Sequence, residues 1–257
     1  MPYQNLWYPP DANLRYDTRL IVPKSRLVKL VVLIEVSKSG YMTEQKSAGE
    51  LFKAAYENRY TWDANFPGYS ADVELKQGDE VYTGKIRINS DLSVEVTGIE
   101  DEKVQESIYT QLRDVITHRK RSSFDQAHGK NQFSLGEKDA SGALEILVKG
   151  DAMGSNYKIR GTEICQVSRV MGRMAFTINT KESLDTGIGY ISTGYNAIFR
   201  NPQTDEPIRK LDFEESYEKV GDYYVMTRQV VHSLDQGERT TTEFNFSNVK
   251  LLEPAVV

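Results

Sequence analysis

The 257-residue sequence contains one cysteine, three histidines and only short apolar runs. A single thiol, Cys165, excludes an intrachain disulfide and a zinc site built from cysteines, and it fits either a reducing compartment or indifference to redox conditions. The longest apolar stretch, LVKLVVLIEV at 27–36, is interrupted by Lys29, whereas a membrane-spanning helix needs about 20 apolar residues. We therefore expect no transmembrane segment and a cytoplasmic location.

A basic surplus is also missing, since the formal net charge is −5 and the isoelectric point is about 5.4. Proteins that bind nucleic acids usually carry an excess of positive charge, so we expect no nucleic-acid partner. Nucleotide-binding and nucleophile motifs are absent as well. The glycine-containing stretches GDAMGSNYK and TGIGYISTGY run into strand-like sequence rather than into a helix. We expect no cofactor and no metal site.

Alternation of apolar and polar residues is the main positive signal. YSADVELK, EVYTGKIRIN and LSVEVTG alternate between turn-forming residues, which predicts an antiparallel meander. Further candidate strands continue to the end of the chain: ALEILVK, NYKIRG, EICQVSRV, RMAFTIN, GYISTGYNAIF, DYYVMTRQVVHSL and RTTTEFNFSNVKLL. The intervening stretch TDEPIRKLDFEESYEK is interpreted as a charged surface segment. A short helix is one structure considered for it.

Two amphipathic helices interrupt this pattern. Ser47 and Glu50 have capping-box spacing before a first apolar stripe. Residues 101–121 begin with acids, end with bases and repeat apolar residues every three to four positions, which predicts a second helix. The fold class predicted is β-rich α+β: a curved antiparallel sheet or half-barrel with amphipathic helices packed on its concave face. Residues 1–41 form an atypical N-terminal extension, either an edge strand or sequence upstream of a start at Met42, and 42–257 form a single β-rich domain.

Four stretches carry a resemblance to a known family: AAYENRYTWDANFPGYSADV, HRKRSSFDQAHGKNQF, GDAMGSNYKIRGTEICQVSRVMGRMAFTI and KVGDYYVMTRQVV. They resemble a domain family of unknown function found in cyanobacteria and plastid-bearing plants, over about Ser47 to Leu252. This resemblance implies a photosynthetic setting but brings no chemistry. The order of elements is also similar to that of lipoprotein carriers, which implies a half-barrel that encloses an apolar cavity.

Aromatic residues and a cationic stretch supply the candidate sites. Tyr60, Trp62, Phe66, Tyr190 and Tyr195 pack a core or hairpins in one interpretation, and they line the mouth of an apolar ligand cavity in the other.

The stretch HRKRSSFDQAHGKNQF holds His118, Arg119, Arg121, His128 and Lys130. Cations at a helix C-terminus favour a structural interpretation. One alternative is an edge that docks an anion or an acidic partner. The other is a metal site, for which the 118/128 spacing is not a standard ligand pattern.

These features favour a non-catalytic binding protein that holds an apolar small molecule, such as a lipid or a pigment, or a protein client in a concave β shell. The first alternative is an assembly or interaction module without a ligand. The second is an enzyme that uses His118 or His128. The sequence leaves the oligomeric state open.

Overall fold

The computed structural model describes residues 46–150, 156–172, 174–235 and 237–253. The proposed N-terminal extension, 1–41, lies outside these residues. The described part contains the helices α1 (Ala48–Glu57), α2 (Glu102–Arg119) and α3 (Phe124–His128). Its strands are β1 (Gly68–Gln77), β2 (Glu80–Asn89), β3 (Val94–Thr97), β4 (Gln132–Lys138), β5 (Leu144–Lys149), β6 (Asn156–Arg160), β7 (Glu163–Met171), β8 (Met174–Asp185), β9 (Tyr190–Arg200), β10 (Pro207–Val220), β11 (Tyr223–Asp235) and β12 (Glu238–Leu251).

All twelve strands belong to one antiparallel sheet. Their order is β3-β2-β1-β12-β11-β10-β9-β8-β7-β6-β5-β4, so neighbouring strands are consecutive in the chain except where β1 meets β12. The sheet is open, because the end strands β3 and β4 are not paired with each other in the described part of the chain. The predicted β-rich class with a mostly antiparallel sheet and few helices is confirmed.

Side-chain hydrogen bonds define the starts of the helices. In α1 the Ser47 hydroxyl accepts from the Glu50 backbone, and the Glu50 carboxylate accepts from the Ser47 backbone at 2.7 Å, which forms the predicted capping box. In α2 the Asp101 carboxylate accepts from the backbone N–H groups of Lys103 and Val104. Both caps satisfy N–H groups that a helix leaves unpaired in its first turn.

The helix α2 covers one end of the sheet. Its apolar stripe is buried with the inward side chains of β1, β2, β3, β11 and β12 in one hydrophobic cluster. The helices α1 and α3 cover the other end, where Phe52 and Phe124 are buried with side chains of β5 and β6 in a second cluster. The two clusters share no residue.

Register shows which face α1 occupies. The ring centroids of Phe52 on α1 and Tyr157 on β6 are 4.6 Å apart. Residues paired across neighbouring strands point to the same side of a sheet. Tyr157 therefore shares its face with a row of paired residues that crosses β7 to β10: Val167, Ile178, Ala197 and Leu211.

The helix α2 packs on this same face. Phe244 belongs to the cluster beneath α2, and it is paired with Gln229, which is paired in turn with Glu215 on β10. Glu215 and Leu211 are four residues apart on one strand and point to the same side. We call this side the helix-bearing face. The opposite face carries cross-strand ion pairs such as Asp72–Lys85, at 3.2 Å.

One sequence-based interpretation is corrected. The segment TDEPIRKLDFEESYEK is not a surface segment or a helix, because most of it forms β10 in the middle of the sheet. The stretch between Arg121 and Lys130 also contains a short helix, α3, that the sequence patterns did not predict. This helix begins with a capping box between Ser123 and Gln126.

Candidate functional site

An apolar surface lies between the two helix-covered ends of the sheet. On the helix-bearing face, β7 to β10 present side chains that belong to neither hydrophobic cluster. We call them the central strip: Val167, Phe176, Ile178, Ala197, Phe199, Leu211 and Phe213. Most of its members are buried, whereas Val167 and Ile178 are half-buried.

A hydrogen-bonded group of polar side chains adjoins the central strip. The Glu215 carboxylate on β10 accepts from the hydroxyls of Tyr195 and Tyr217 and from the Gln229 amide, each at 2.7 Å. The Arg119 guanidinium at the end of α2 donates to the Tyr217 hydroxyl at 3.2 Å. We call Arg119, Tyr195, Glu215, Tyr217 and Gln229 the polar cluster.

The polar cluster links a buried cation to a half-buried carboxylate. Arg119 is 7% exposed and also donates to the Tyr60 carbonyl at 3.2 Å. Burial first, and then the negative charge of Glu215, raises the pKa values of Tyr195 and Tyr217 well above their ordinary range. Both phenols therefore stay protonated and act as hydrogen-bond donors to the carboxylate.

Two atoms of the polar cluster are buried without a hydrogen-bond partner in the described structure. They are the Arg119 Nε donor and the Gln229 Oε1 acceptor. Gln229 is fully buried, at 0% exposure. An unpaired buried polar group costs about 1–3 kcal/mol, so such atoms call for a partner such as a ligand or an internal water.

The predicted aromatic residues separate into two groups. Tyr60, Trp62 and Phe66 are core side chains of the cluster beneath α2, where the Trp62 and Phe66 rings stack with centroids 4.1 Å apart. Tyr190 is also buried, and its hydroxyl accepts from the Ile164 backbone at 2.9 Å. Tyr195 alone of the five lies beside the central strip, where its ring stacks on Phe213.

Hydrogen bonds as well as packing hold Tyr60 and Trp62 in the core. The Trp62 indole donates to the Tyr224 carbonyl at 3.1 Å, and the Tyr60 hydroxyl accepts from the Tyr224 backbone at 2.8 Å. These contacts attach the segment after α1 to β11. These four side chains, Tyr60, Trp62, Phe66 and Tyr190, present almost no open surface to a ligand. Their ligand-binding role stays a prediction.

The predicted cationic edge is divided by the structure. His118, Arg121 and Lys130 are exposed, whereas Arg119 points inward. Arg119 continues the buried stripe of α2, which runs through Leu112, Val115 and Ile116. A role for Arg119 at an exposed edge is wrong, since its guanidinium belongs to the polar cluster.

His128 sits in an aromatic environment rather than at an open edge. Its ring centroid is 4.9 Å from that of Tyr56 and 5.2 Å from that of Phe52, and its Nδ1 lies 3.0 Å from the Asn131 side-chain nitrogen. Burial, followed by the positive charge of Arg59, lowers the pKa of His128. The neutral imidazole is therefore favoured at this position.

Sequence reasoning missed Glu215, Tyr217 and Gln229. The signal for Glu215 was the alternation of Leu211, Phe213, Glu215 and Tyr217, which places the carboxylate in an inward row. Dense charge around this row concealed it. For Arg119 the signal was its three-residue spacing from Ile116 along the apolar stripe.

A metal-binding cluster and a membrane-spanning helix are both absent from the described residues. Within 46–150, 156–172, 174–235 and 237–253, no group of three or more His, Cys, Asp or Glu side chains is arranged to hold a metal ion. Over these residues no helix has the length and apolar character needed to cross a membrane.

Comparison with solved structures gives distant likenesses. A LolA-superfamily protein from Nitrosomonas europaea is 10% identical, with a TM-score of 0.31, over 81% of this chain and 95% of that chain. A putative outer membrane lipoprotein-sorting domain from Vibrio parahaemolyticus is 10% identical, with a TM-score of 0.31, over 80% of this chain and 94% of that chain. MucB, solved in complex with MucA, is 10% identical, with a TM-score of 0.21, over 80% of this chain and 99% of that chain. TM-scores this low carry no argument about function.

Comparison at the level of sequence is more decisive. No curated protein is similar to this chain. One family model, described as a protein of unknown function, matches residues 43–252. This range includes every helix and strand described above. The chain therefore belongs to the DUF3386 family, as its resemblance to a family of unknown function predicted.

Proposed function

We propose that this protein is a non-catalytic binding protein that holds an apolar small molecule, of the lipid or pigment class, against the central strip. The observation that carries this proposal is the continuous apolar row Val167–Ile178–Ala197–Leu211, which crosses four strands between the two helix-covered clusters. Apolar pockets with a few convergent polar groups are the usual form of small-molecule sites.

Access to the strip is through its half-buried members. Val167 and Ile178 keep partial exposure, as does the adjoining Tyr195 of the polar cluster, whereas Leu211 is fully buried. A ligand therefore makes its first contacts near β7, β8 and β9. Each methylene that it buries contributes about 0.8 kcal/mol, so a chain of some carbons is needed to offset the free-energy cost of association.

A protein client is the nearest alternative occupant, since an apolar segment of a polypeptide presents the same chemistry as a lipid chain. An interaction module without a ligand is favoured by one separate observation: Arg121 and Lys130 are exposed at the end of α2 and after α3. Association through this edge would weaken with salt and with reversal of Arg121. An enzyme that uses His118 and His128 would lose turnover when both are replaced by Ala.

Native mass spectrometry of the purified protein tests the leading proposal. We expect a bound species whose mass is that of an apolar small molecule, which is removed by solvent extraction and identified in the extract. A bound polypeptide would replace the ligand proposal with the client alternative. Protein that carries nothing, and that takes up no lipid or pigment when these are added, would contradict both.

A further inference from the structure

The polar cluster has unmatched hydrogen-bonding capacity at both of its ends. At one end the Arg119 Nε–H has no acceptor, and at the other end the Gln229 Oε1 has no donor. The groups between them are satisfied, because Glu215 accepts from Tyr195, Tyr217 and Gln229. The polar cluster therefore lacks an acceptor for Arg119 Nε and a donor for Gln229 Oε1. Neither gap requires a further charged group.

The charges of the polar cluster restrict the chemistry of a partner. Arg119 and Glu215 carry opposite charges and are joined through the Tyr217 hydroxyl. Asp114, one turn before His118 on α2, adds a negative charge that acts on Tyr195. An anionic head group would meet the Glu215 carboxylate, and it has no proton for Gln229 Oε1. An ammonium head group donates to Gln229 Oε1 but offers no acceptor to Arg119 Nε.

We infer that the polar cluster is the head-group site for a ligand of the central strip, and that it selects an uncharged head bearing hydroxyl or amide groups. A hydroxyl both donates and accepts, so a head that bears such groups offers the donor that Gln229 Oε1 lacks and the acceptor that Arg119 Nε lacks. Tyr195 joins the two regions, since its hydroxyl belongs to the polar cluster and its ring stacks on Phe213 of the strip, with centroids 4.6 Å apart.

The cluster remains approachable from the strip. Tyr195, Glu215 and Tyr217 keep partial exposure, whereas Arg119 and Gln229 are buried. Because Arg119 Nε and Gln229 Oε1 have almost no accessible surface, a head group reaches them only when the partly exposed side chains shift aside. A site with buried unpaired groups discriminates strongly between ligands that satisfy those groups and ligands that do not. This inference rests on the proposed function and adds the class of ligand to it.

Head-group selectivity can be measured on the unaltered protein by calorimetric titration with three ten-carbon probes: decan-1-ol, decanoate and decylammonium. We expect the alcohol to bind at least about tenfold more tightly than either ion, because among the three head groups only the hydroxyl offers both a donor and an acceptor. Decanoate or decylammonium that binds as tightly as decan-1-ol would overturn the head-group assignment and leave apolar binding in place. If none of the three probes binds, the head-group assignment and the proposed function are both contradicted.

A substitution locates the selectivity. Gln229→Met keeps the length of the side chain and removes its amide, and we expect it to weaken decan-1-ol binding about five- to tenfold while decanoate binding stays unchanged. Ser233→Ala is the matched control, since Ser233 is a buried polar residue four positions further along β11 on the same face. Unchanged decan-1-ol affinity in Gln229→Met would contradict the assignment. The titrations of the unaltered protein stand even if this variant does not fold.

Discussion

Replacing Arg119 by Met should destabilise the protein far more than a change of one surface charge. Arg119 is 7% exposed, and it donates to the Tyr60 carbonyl and to the Tyr217 hydroxyl, both at 3.2 Å. Without the guanidinium the Tyr60 carbonyl loses this donor, and Glu215 loses the cation that is linked to it through Tyr217. A buried hydrogen-bonding group left without its partner costs about 1–3 kcal/mol, so loss of both bonds should cost about 2–4 kcal/mol.

Urea unfolding, followed by tryptophan fluorescence and far-ultraviolet circular dichroism, measures this cost. Lys120→Met is the matched control, because Lys120 is the next residue and is exposed. We expect the control to change the free energy of unfolding by no more than about 0.5 kcal/mol. The dependence of the unfolding free energy on urea should be unchanged in both variants, since the exposed area does not change.

A double-mutant cycle separates the charge effect from packing. Glu215→Gln removes the carboxylate, so the combined variant Arg119→Met/Glu215→Gln leaves neither charge in the polar cluster. We expect its cost to fall below the sum of the two single costs by about 1–3 kcal/mol. Additive costs, or an Arg119→Met variant within about 1 kcal/mol of the unaltered protein, would refute the coupling of Arg119 to Glu215.

Three further predictions concern the helices and their packing. Phe52→Ala should cost about 3–5 kcal/mol in unfolding free energy, because Phe52 is fully buried in the cluster beneath α1; a loss below 1 kcal/mol would contradict this packing. Asp101→Ala should cost about 1 kcal/mol by removing the cap of α2, with lower helicity by circular dichroism. The folded-state pKa of His128 is lowered, so stability should be lost as pH falls below the pKa of the unfolded state, near 6.5. His128→Gln should reduce that slope, measured by urea unfolding between pH 7.5 and 5.5, and an unchanged slope would assign the acid sensitivity to other groups.

Local sequence patterns predicted most of the fold, because each pattern had a single dominant physical cause, either a helix cap or the burial of one face. The capping box of Ser47 and Glu50 and the apolar period of residues 101–121 both gave helices where expected. The alternation of 69–98 gave the first three strands, since one side of each is buried. These signals need no information from distant parts of the chain.

Prediction failed where inward-pointing charge interrupted the apolar pattern. The strand β10 was missed because Glu215 occupies an inward position between Phe213 and Tyr217. Only tertiary structure brings the Arg119 guanidinium, from a helix almost one hundred residues earlier in the chain, to the Tyr217 hydroxyl that donates to this carboxylate. For the same reason Arg119 was assigned to an exposed edge, and the site proposed here contains just Tyr195 and Arg119 from the predicted set.

The most direct measurement compares ligand uptake by two variants that differ only in the face they alter. Ile178→Glu places a charge in the central strip, whereas Thr177→Glu places the same charge on the opposite face of β8. Native mass spectrometry and titration with decan-1-ol should show that Ile178→Glu loses bound apolar ligand and that Thr177→Glu keeps it. Equal binding by the two variants would contradict the assignment of the central strip as the binding surface.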